Sequence, residues 1–228
     1  MGEAPQSCVL VSGGVDSAVL VAQYPGDGRL TQPVYVRTGM VWEAVEMDWL
    51  GRYLAAIASP RLLPLQVLDF PLGDIYGSHW SVPGATQPAP AYESADEEVY
   101  LPGRNIILLA KTAVYCALNG IESIASGVLA GNPFPDATDE FFGSYARTLS
   151  LGLDTPVRIE RPFDRLHKSD VVRMGARLPL DLTFSCIRPS GELHCGSCNK
   201  CAERQRGFAE AGIADLTRYA KLPSGSTL

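Results

Sequence analysis

Short apolar runs alternate with amphipathic stretches along most of this chain. Cys8-Val9-Leu10-Val11 is an apolar run, and a second, Ala18-Val19-Leu20-Val21-Ala22, follows six residues later. Between them lies Ser12-Gly13-Gly14-Val15-Asp16-Ser17, so the pattern predicts strand, glycine-rich turn, helix. Residues 32–37 predict a second strand. Residues 41–58 predict a helix, with Val41, Val45, Trp49, Tyr53 and Ala56 near one face. Residues 61–68 predict a third strand, which Pro64 marks as an edge. A helix opens at Leu101-Pro102-Gly103-Arg104-Asn105, runs to residue 119 and stops at Gly120. A strand over 122–128, an amphipathic helix ending near 151, a short strand over 157–159 and a helix over 168–178 before Pro179 come next. Residues 203–219 predict a last helix, and residues 224–228 a frayed end. Alternation of strand and helix implies an α/β fold, a Rossmann-like doubly wound parallel sheet with helices on both faces. One domain over residues 1–228 is expected.

Residues 73–103 break this rhythm. They hold several prolines and glycines and the acidic run Asp96-Glu97-Glu98. A structureless loop of this length is unusual and reads as a lid. His79 and Trp80 lie in it, and such residues pack locally more often than they bind a substrate.

The glycine segment carries the first chemistry. Two glycines let the backbone approach a ligand, and successive amides with a helix N-terminus suit an anion. Asp16 fits if Mg²⁺ sits between it and phosphates. The bland alternative is a βα turn whose Ser and Asp are caps.

The net charge of −6 argues against a broad basic face, and so against nucleic acid as a partner. No basic leader precedes the first apolar run, and no apolar stretch is long enough to span a membrane, so a cytoplasmic location is expected. In a reducing compartment the six cysteines are not expected to form disulfides. Cys8 and Cys116 sit inside apolar runs and read as core. The others are spaced Cys186-x8-Cys195-x2-Cys198-x2-Cys201, which suits one tetrahedral Zn²⁺ held in segment 186–201. His194 could replace one cysteine; a redox pair and an iron–sulfur cluster are the alternatives.

The pattern Ser-Gly-Gly-x-Asp-Ser at residues 12–17 resembles the pyrophosphatase loop of the adenylating PP-loop ATP enzymes; the Gly-Lys-Ser/Thr of a Walker A loop is absent. Together with Pro102-Gly103-Arg104-Asn105, Lys168 in a late helix, and the four cysteines followed by Arg204 and Phe208, the chain resembles the 7-cyano-7-deazaguanine synthase family of queuosine biosynthesis. The resemblance implies that 7-carboxy-7-deazaguanine, ammonia and ATP give the nitrile through an acyl-adenylate. It implies ATP contacts from Leu10, Val11, Ser12, Gly13, Gly14, Val15, Asp16 and Ser17, with Arg104 and Asn105 beside them, and catalytic roles for Asp16 and Lys168. Plain helix capping is an equal reading of Arg104 and Asn105, and a solvated helix lysine is the alternative for Lys168. ATP, Mg²⁺ and Zn²⁺ are the implied cofactors, with ammonia and a small carboxylate as partners. Whether the chain forms a homodimer is left open.

Two segments depart from the family pattern. Its Asp-x-Ser-Gly-Tyr-Pro-Asp-Cys-Arg segment is matched here by residues 129–138, where only Pro135-Asp136 is kept and Phe134 precedes it. Thr38-Gly39-Met40 stands near the family's Gln-Arg-His. Asn132, Phe134 and Asp136 are the expected substrate contacts, because a loop after a strand faces the crevice at the strand's carboxyl end; a turn capping the next helix is the alternative. The departures leave open a branch that activates another carboxylate, or joins a deazaguanine carboxylate to another amine. A tRNA sulfur transferase and a non-catalytic zinc-knuckle protein are the remaining alternatives.

Overall fold

In the computed structural model, which describes residues 6–221, five parallel strands form one sheet in the order β3-β2-β1-β4-β5. The strands are β1 (Ser7–Leu10), β2 (Thr31–Arg37), β3 (Gln66–Asp69), β4 (Ser123–Ala125) and β5 (Arg158–Glu160). β1 lies at the centre, paired through Val9 to Pro33 on one side and to Ala125 on the other. The chain leaves β1 toward β2 and later returns to its other side at β4. That reversal opens a crevice beyond the carboxyl ends of β1 and β4, the usual ligand position in a doubly wound sheet. β3 is an edge strand, as Pro64 implies, and it begins only after the proline.

The helices are α1 (Val15–Gly26), α2 (Glu43–Ala56), α3 (Gly73–Tyr76), α4 (Arg104–Leu118), α5 (Asp139–Leu153), α6 (Lys168–Met174) and α7 (Asn199–Ala211). One face of the sheet packs on α1, α2, α6 and α7 through Val9, Leu20, Leu50, Tyr53, Val171 and Phe208. The other packs on α4 and α5 through Val34, Leu109, Ala113, Ile124 and Phe142. Cys8 and Cys116 are both buried in this second layer, as their apolar context implies. No helix among the described residues is long and apolar enough to cross a membrane.

Three expectations change. The last helix ends at Ala211, not near 219, because Gly212 takes a left-handed φ of 70° and turns the chain back. On α2, Trp49 and Tyr53 are buried, but Val41 lies outside the helix at 40% exposure and Ala56 is exposed. The buried stripe runs through Glu46, Trp49, Leu50 and Tyr53 instead. The stretch 73–103 is fastened down and is no structureless lid. Trp80 stacks on Trp42 with centroids 5.7 Å apart, and the Asn199 side-chain amide donates to the Ser94 carbonyl at 2.8 Å. His79 bonds Ser81, so His79 and Trp80 pack locally. The frayed end expected at 224–228 lies outside the described residues.

Candidate functional site

The centre of the crevice is the turn from β1 into α1. Gly13 has φ 73°, and a Cβ there would meet Glu46 Cγ at 3.0 Å, so the sharp turn requires glycine. Gly14 caps α1 with no side-chain hydrogen bond, leaving the first helical amides open to a ligand. The serines hold the loop's shape: Ser12 N–H donates to Ser17 Oγ at 3.1 Å, and Ser17 Oγ donates to the Gly14 carbonyl at 3.1 Å. Val15 points into the core, so only its backbone faces the turn's concavity. Gly127, just beyond β4, lies against this turn; a Cβ would sit 3.2 Å from the Asp16 carbonyl carbon.

Asp16, at the start of α1, faces a chain of charges. Lys168 Nζ reaches Asp16 Oδ2 at 2.5 Å and Glu203 Oε1 at 2.9 Å, and Lys200 pairs with the other Glu203 oxygen. Burial alone would lower the Lys168 pKa, but Asp16 and Glu203 more than reverse this and hold it above its ordinary value. Glu203 is held well below the usual carboxylate range, because Lys168 and Lys200 outweigh its burial. Lys168 crosses α7 at Gly207, where a Cβ would come within 2.3 Å of Lys168 Cγ. Asp16 Oδ1 is buried and has no hydrogen-bond partner among the described residues. An orphaned carboxylate oxygen beside an uncapped helix N-terminus fits a hard cation that also binds phosphate oxygens.

Across a cleft of about 450 Å³ stand α4 and the loop before α5. Arg104 lines the cleft, and its buried Nε has no hydrogen-bond partner among the described residues. Asn105 is differently engaged: its backbone N–H donates to Asp136 Oδ2 at 3.0 Å and its side chain to the Asp136 carbonyl at 2.9 Å. Asp136 therefore caps α4, and its burial raises its pKa. Asn132 Oδ1 accepts the Phe134 N–H at 3.0 Å, and Phe134 stacks on Tyr100 at 5.0 Å. All three residues of this loop line the cleft, but their hydrogen-bonding groups are largely committed to the scaffold.

At the C-terminal side, the sulfurs of Cys186, Cys195, Cys198 and Cys201 lie within 4.8 Å of one another. The pairs Cys186–Cys198 and Cys195–Cys201 are each 3.9 Å apart. Zn–S bonds of about 2.3 Å give tetrahedral edges of about 3.8 Å, so the cluster fits a metal. Backbone N–H groups of Arg188, Cys195 and Ser197 donate to these sulfurs. His194 is outside the cluster: its Nε2 accepts the Ser185 N–H, and burial pushes its pKa down to about 3.

The family model described as queuosine biosynthesis protein QueC matches residues 6–212. The chain belongs to this family. Its QueC-family relatives include the 7-cyano-7-deazaguanine synthases of Methanothrix thermoacetophila and Solidesulfovibrio magneticus. The first is 33% identical over 92% of this chain and 96% of its own. The second is 34% identical over 95% and 97%. The fold is also similar to a 4-thiouridine synthetase solved with RNA and bound ATP, at TM-score 0.51 and 15% identity over 91% of this chain and 50% of that one.

In this QueC-family chain the structure brings Ser12, Gly14, Asp16, Ser17, Leu10, Val11, Arg104, Asn105, Lys168 and the 132–136 loop around one cleft. Gly13 and Val15 shape the turn from behind. Sequence reasoning missed Glu46, Lys200 and Glu203. Lys200 lies between two of the cysteines, and Glu203 follows the last of them, so the knuckle itself was a signal. Glu46 is three residues before Trp49 and seven before Tyr53, which puts an acid on the buried stripe of α2.

Proposed function

We propose that this QueC-family protein is an ATP-dependent carbon–nitrogen ligase that converts 7-carboxy-7-deazaguanine and ammonia to 7-cyano-7-deazaguanine. The observation that carries the reading is Asp16, with one oxygen on Lys168 and the other free, at the uncapped start of α1. A site of this kind suits a leaving pyrophosphate. The names of the similar synthases support the same product.

A substrate carboxylate oxygen attacks the α-phosphorus of ATP, the bond to the β-phosphate bridge breaks, and pyrophosphate leaves. The open amides of the 12–17 turn and the Lys168 ammonium receive its charge, which grows as the bond breaks. Asp16 Oδ1 would hold Mg²⁺, which would supply charge neutralisation to the phosphates. Arg104 offers its guanidinium to the anionic groups across the cleft. Ammonia displaces AMP to give the amide, and a second adenylation of the amide oxygen allows loss of AMP and formation of the nitrile. Cys186, Cys195, Cys198 and Cys201 would hold Zn²⁺ in a closed four-thiolate site, which would leave no position for catalysis and would tie the 186–198 segment to the start of α7. A sulfur-transfer reading would need a cysteine in the cleft, yet Cys8 on β1 and Cys116 on α4 are buried between the sheet and that helix and are not among the residues that line it.

The test is incubation of the protein with Mg-ATP, ammonium and 7-carboxy-7-deazaguanine, followed by mass spectrometry and pyrophosphate assay. The nitrile and pyrophosphate are the expected products. Pyrophosphate release with a different carboxylate and none with this one would keep the ligase and overturn the substrate.

A further inference from the structure

A smaller cavity of about 210 Å³ opens beside the glycine turn, on the side of α2 and the knuckle. Glu46 lines it with Trp42, Arg104, Phe184 and Ser185. Both acids in the first turns of α2 are buried, but they are used differently. Glu43 accepts the N–H groups of Thr38 and Gly39 and the Arg37 Nε, and so ties the end of β2 to the helix. Glu46, only 6% exposed, receives one hydrogen bond among the described residues, from the Tyr35 hydroxyl. A buried carboxylate with a single hydrogen bond is costly. Its charge also has the wrong sign for holding phosphates.

Among the described residues, the charged groups around it leave that carboxylate without an ion-pair partner. Arg104 approaches from α4, Glu43 from the same helix and Tyr35 from β2. Across the cavity, Lys168 and Lys200 are taken by Asp16 and Glu203. Arg204 is spent on Thr217, Thr183 and the Leu180 carbonyl. Arg104 lines the cavity but makes no ion pair with Glu46 among the described residues, so the carboxylate stays open to a small cation that can give it a proton.

Resting on the ligase reading, we propose that this side cavity is the subsite of the amine nucleophile, with Glu46 as the catalytic residue that holds ammonium and takes its proton. Ammonium gives one proton to the Glu46 carboxylate. The ammonia lone pair then forms the C–N bond with the acyl carbon of the adenylate. The C–O bond to AMP breaks, its electron pair leaves on the AMP phosphate, and that phosphate takes the proton the nitrogen loses. Glu46 returns its own proton to solvent. Burial pushes the Glu46 pKa up to about 7, against the opposing effects of Arg104 and the Tyr35 hydrogen bond. A carboxylic acid so placed exchanges a proton near neutral pH.

Glu46→Gln keeps the size of the side chain and an acceptor for Tyr35. Pyrophosphate release without ammonium and amide formation with it are measured separately, from about pH 6 to about pH 9. The variant is expected to lose about 100-fold in amide formation and less than about threefold in pyrophosphate release. The rise of the wild-type rate near pH 7 should vanish with it. Tyr35→Phe keeps the carboxylate and removes a hydrogen bond to its ionised form, so it should move that rise to higher pH. Amide formation by Glu46→Gln at the wild-type rate and pH profile overturns the proposal, and so does an equal loss of both steps. A wild-type protein that releases no pyrophosphate with any carboxylate overturns the ligase reading, and this inference falls with it.

Discussion

The two loops that face each other across the cleft differ in how far their polar groups are already used. In the 12–17 turn the serines bond one another, but the start of α1 is uncapped and Asp16 Oδ1 has no partner. In the 132–136 loop Asp136 caps α4 and Asn132 closes its own turn. The first is a scaffold with groups left over, which is what a binding loop must have. The second spends its groups on itself. A side chain committed to a helix cap can still touch a ligand, but its loss shows first as stability.

The largest expected effect separates the loops most sharply. Asp16→Ala should reduce pyrophosphate release by about 10³-fold while the circular dichroism and melting curve stay close to wild type. Release at the wild-type rate would remove the basis for treating the 12–17 turn as the reactive side. Cys198→Ser should lower bound metal, expected as one zinc per chain, and reduce the melting temperature by about 10 °C, since metal binding there is folding energy. Because α7 carries Lys200 and Glu203, the damage should reach the Asp16 side of the cleft before the 132–136 side. Metal analysis that finds no zinc, or an iron chromophore, would refute the assignment.

Asp136→Ala leaves the Asn105 N–H unsatisfied and should cost about 1–2 kcal/mol, or a few degrees in melting temperature. With Asp136→Asn, which keeps an acceptor, stability should hold. Any change should then appear in the KM for the carboxylate and not for ATP. A change in the KM for ATP would move this loop to the nucleotide side and blur the contrast. The smallest effect concerns acid. Glu203 has a depressed pKa in the folded protein, so its contribution is present above the unfolded value of about 4.5 and is lost as pH falls below it. Glu203→Gln should therefore flatten the loss of stability between about pH 5 and about pH 3 in melting curves.

Legibility followed sequence distance. The glycine turn was readable because its bonds join residues at most five apart. The knuckle was readable because Cys-x-x-Cys steps are local. Gly120 and Pro64 mark a helix end and an edge strand, whereas Gly212 ends the last helix eight residues before the 219 that the pattern predicts. The stretch 73–103 carries no local pattern because it is fastened by distant residues, Trp42 on one side and Asn199 and Gln205, more than 100 residues from their partners, on the other.

The sequence by itself determined the family, the parallel α/β order, the glycine-rich turn between strand and helix and the four-cysteine cluster, since each is written in short-range spacing or in periodicity. Tertiary structure alone decided that Lys168 meets Asp16 across 152 residues and that Asp136 is a cap for Asn105. It also decided that Glu46 stands in a cavity with one hydrogen bond. The physical reason is that a carboxylate's role depends on who supplies its donors and countercharges, and in a parallel sheet those neighbours arrive from distant crossovers.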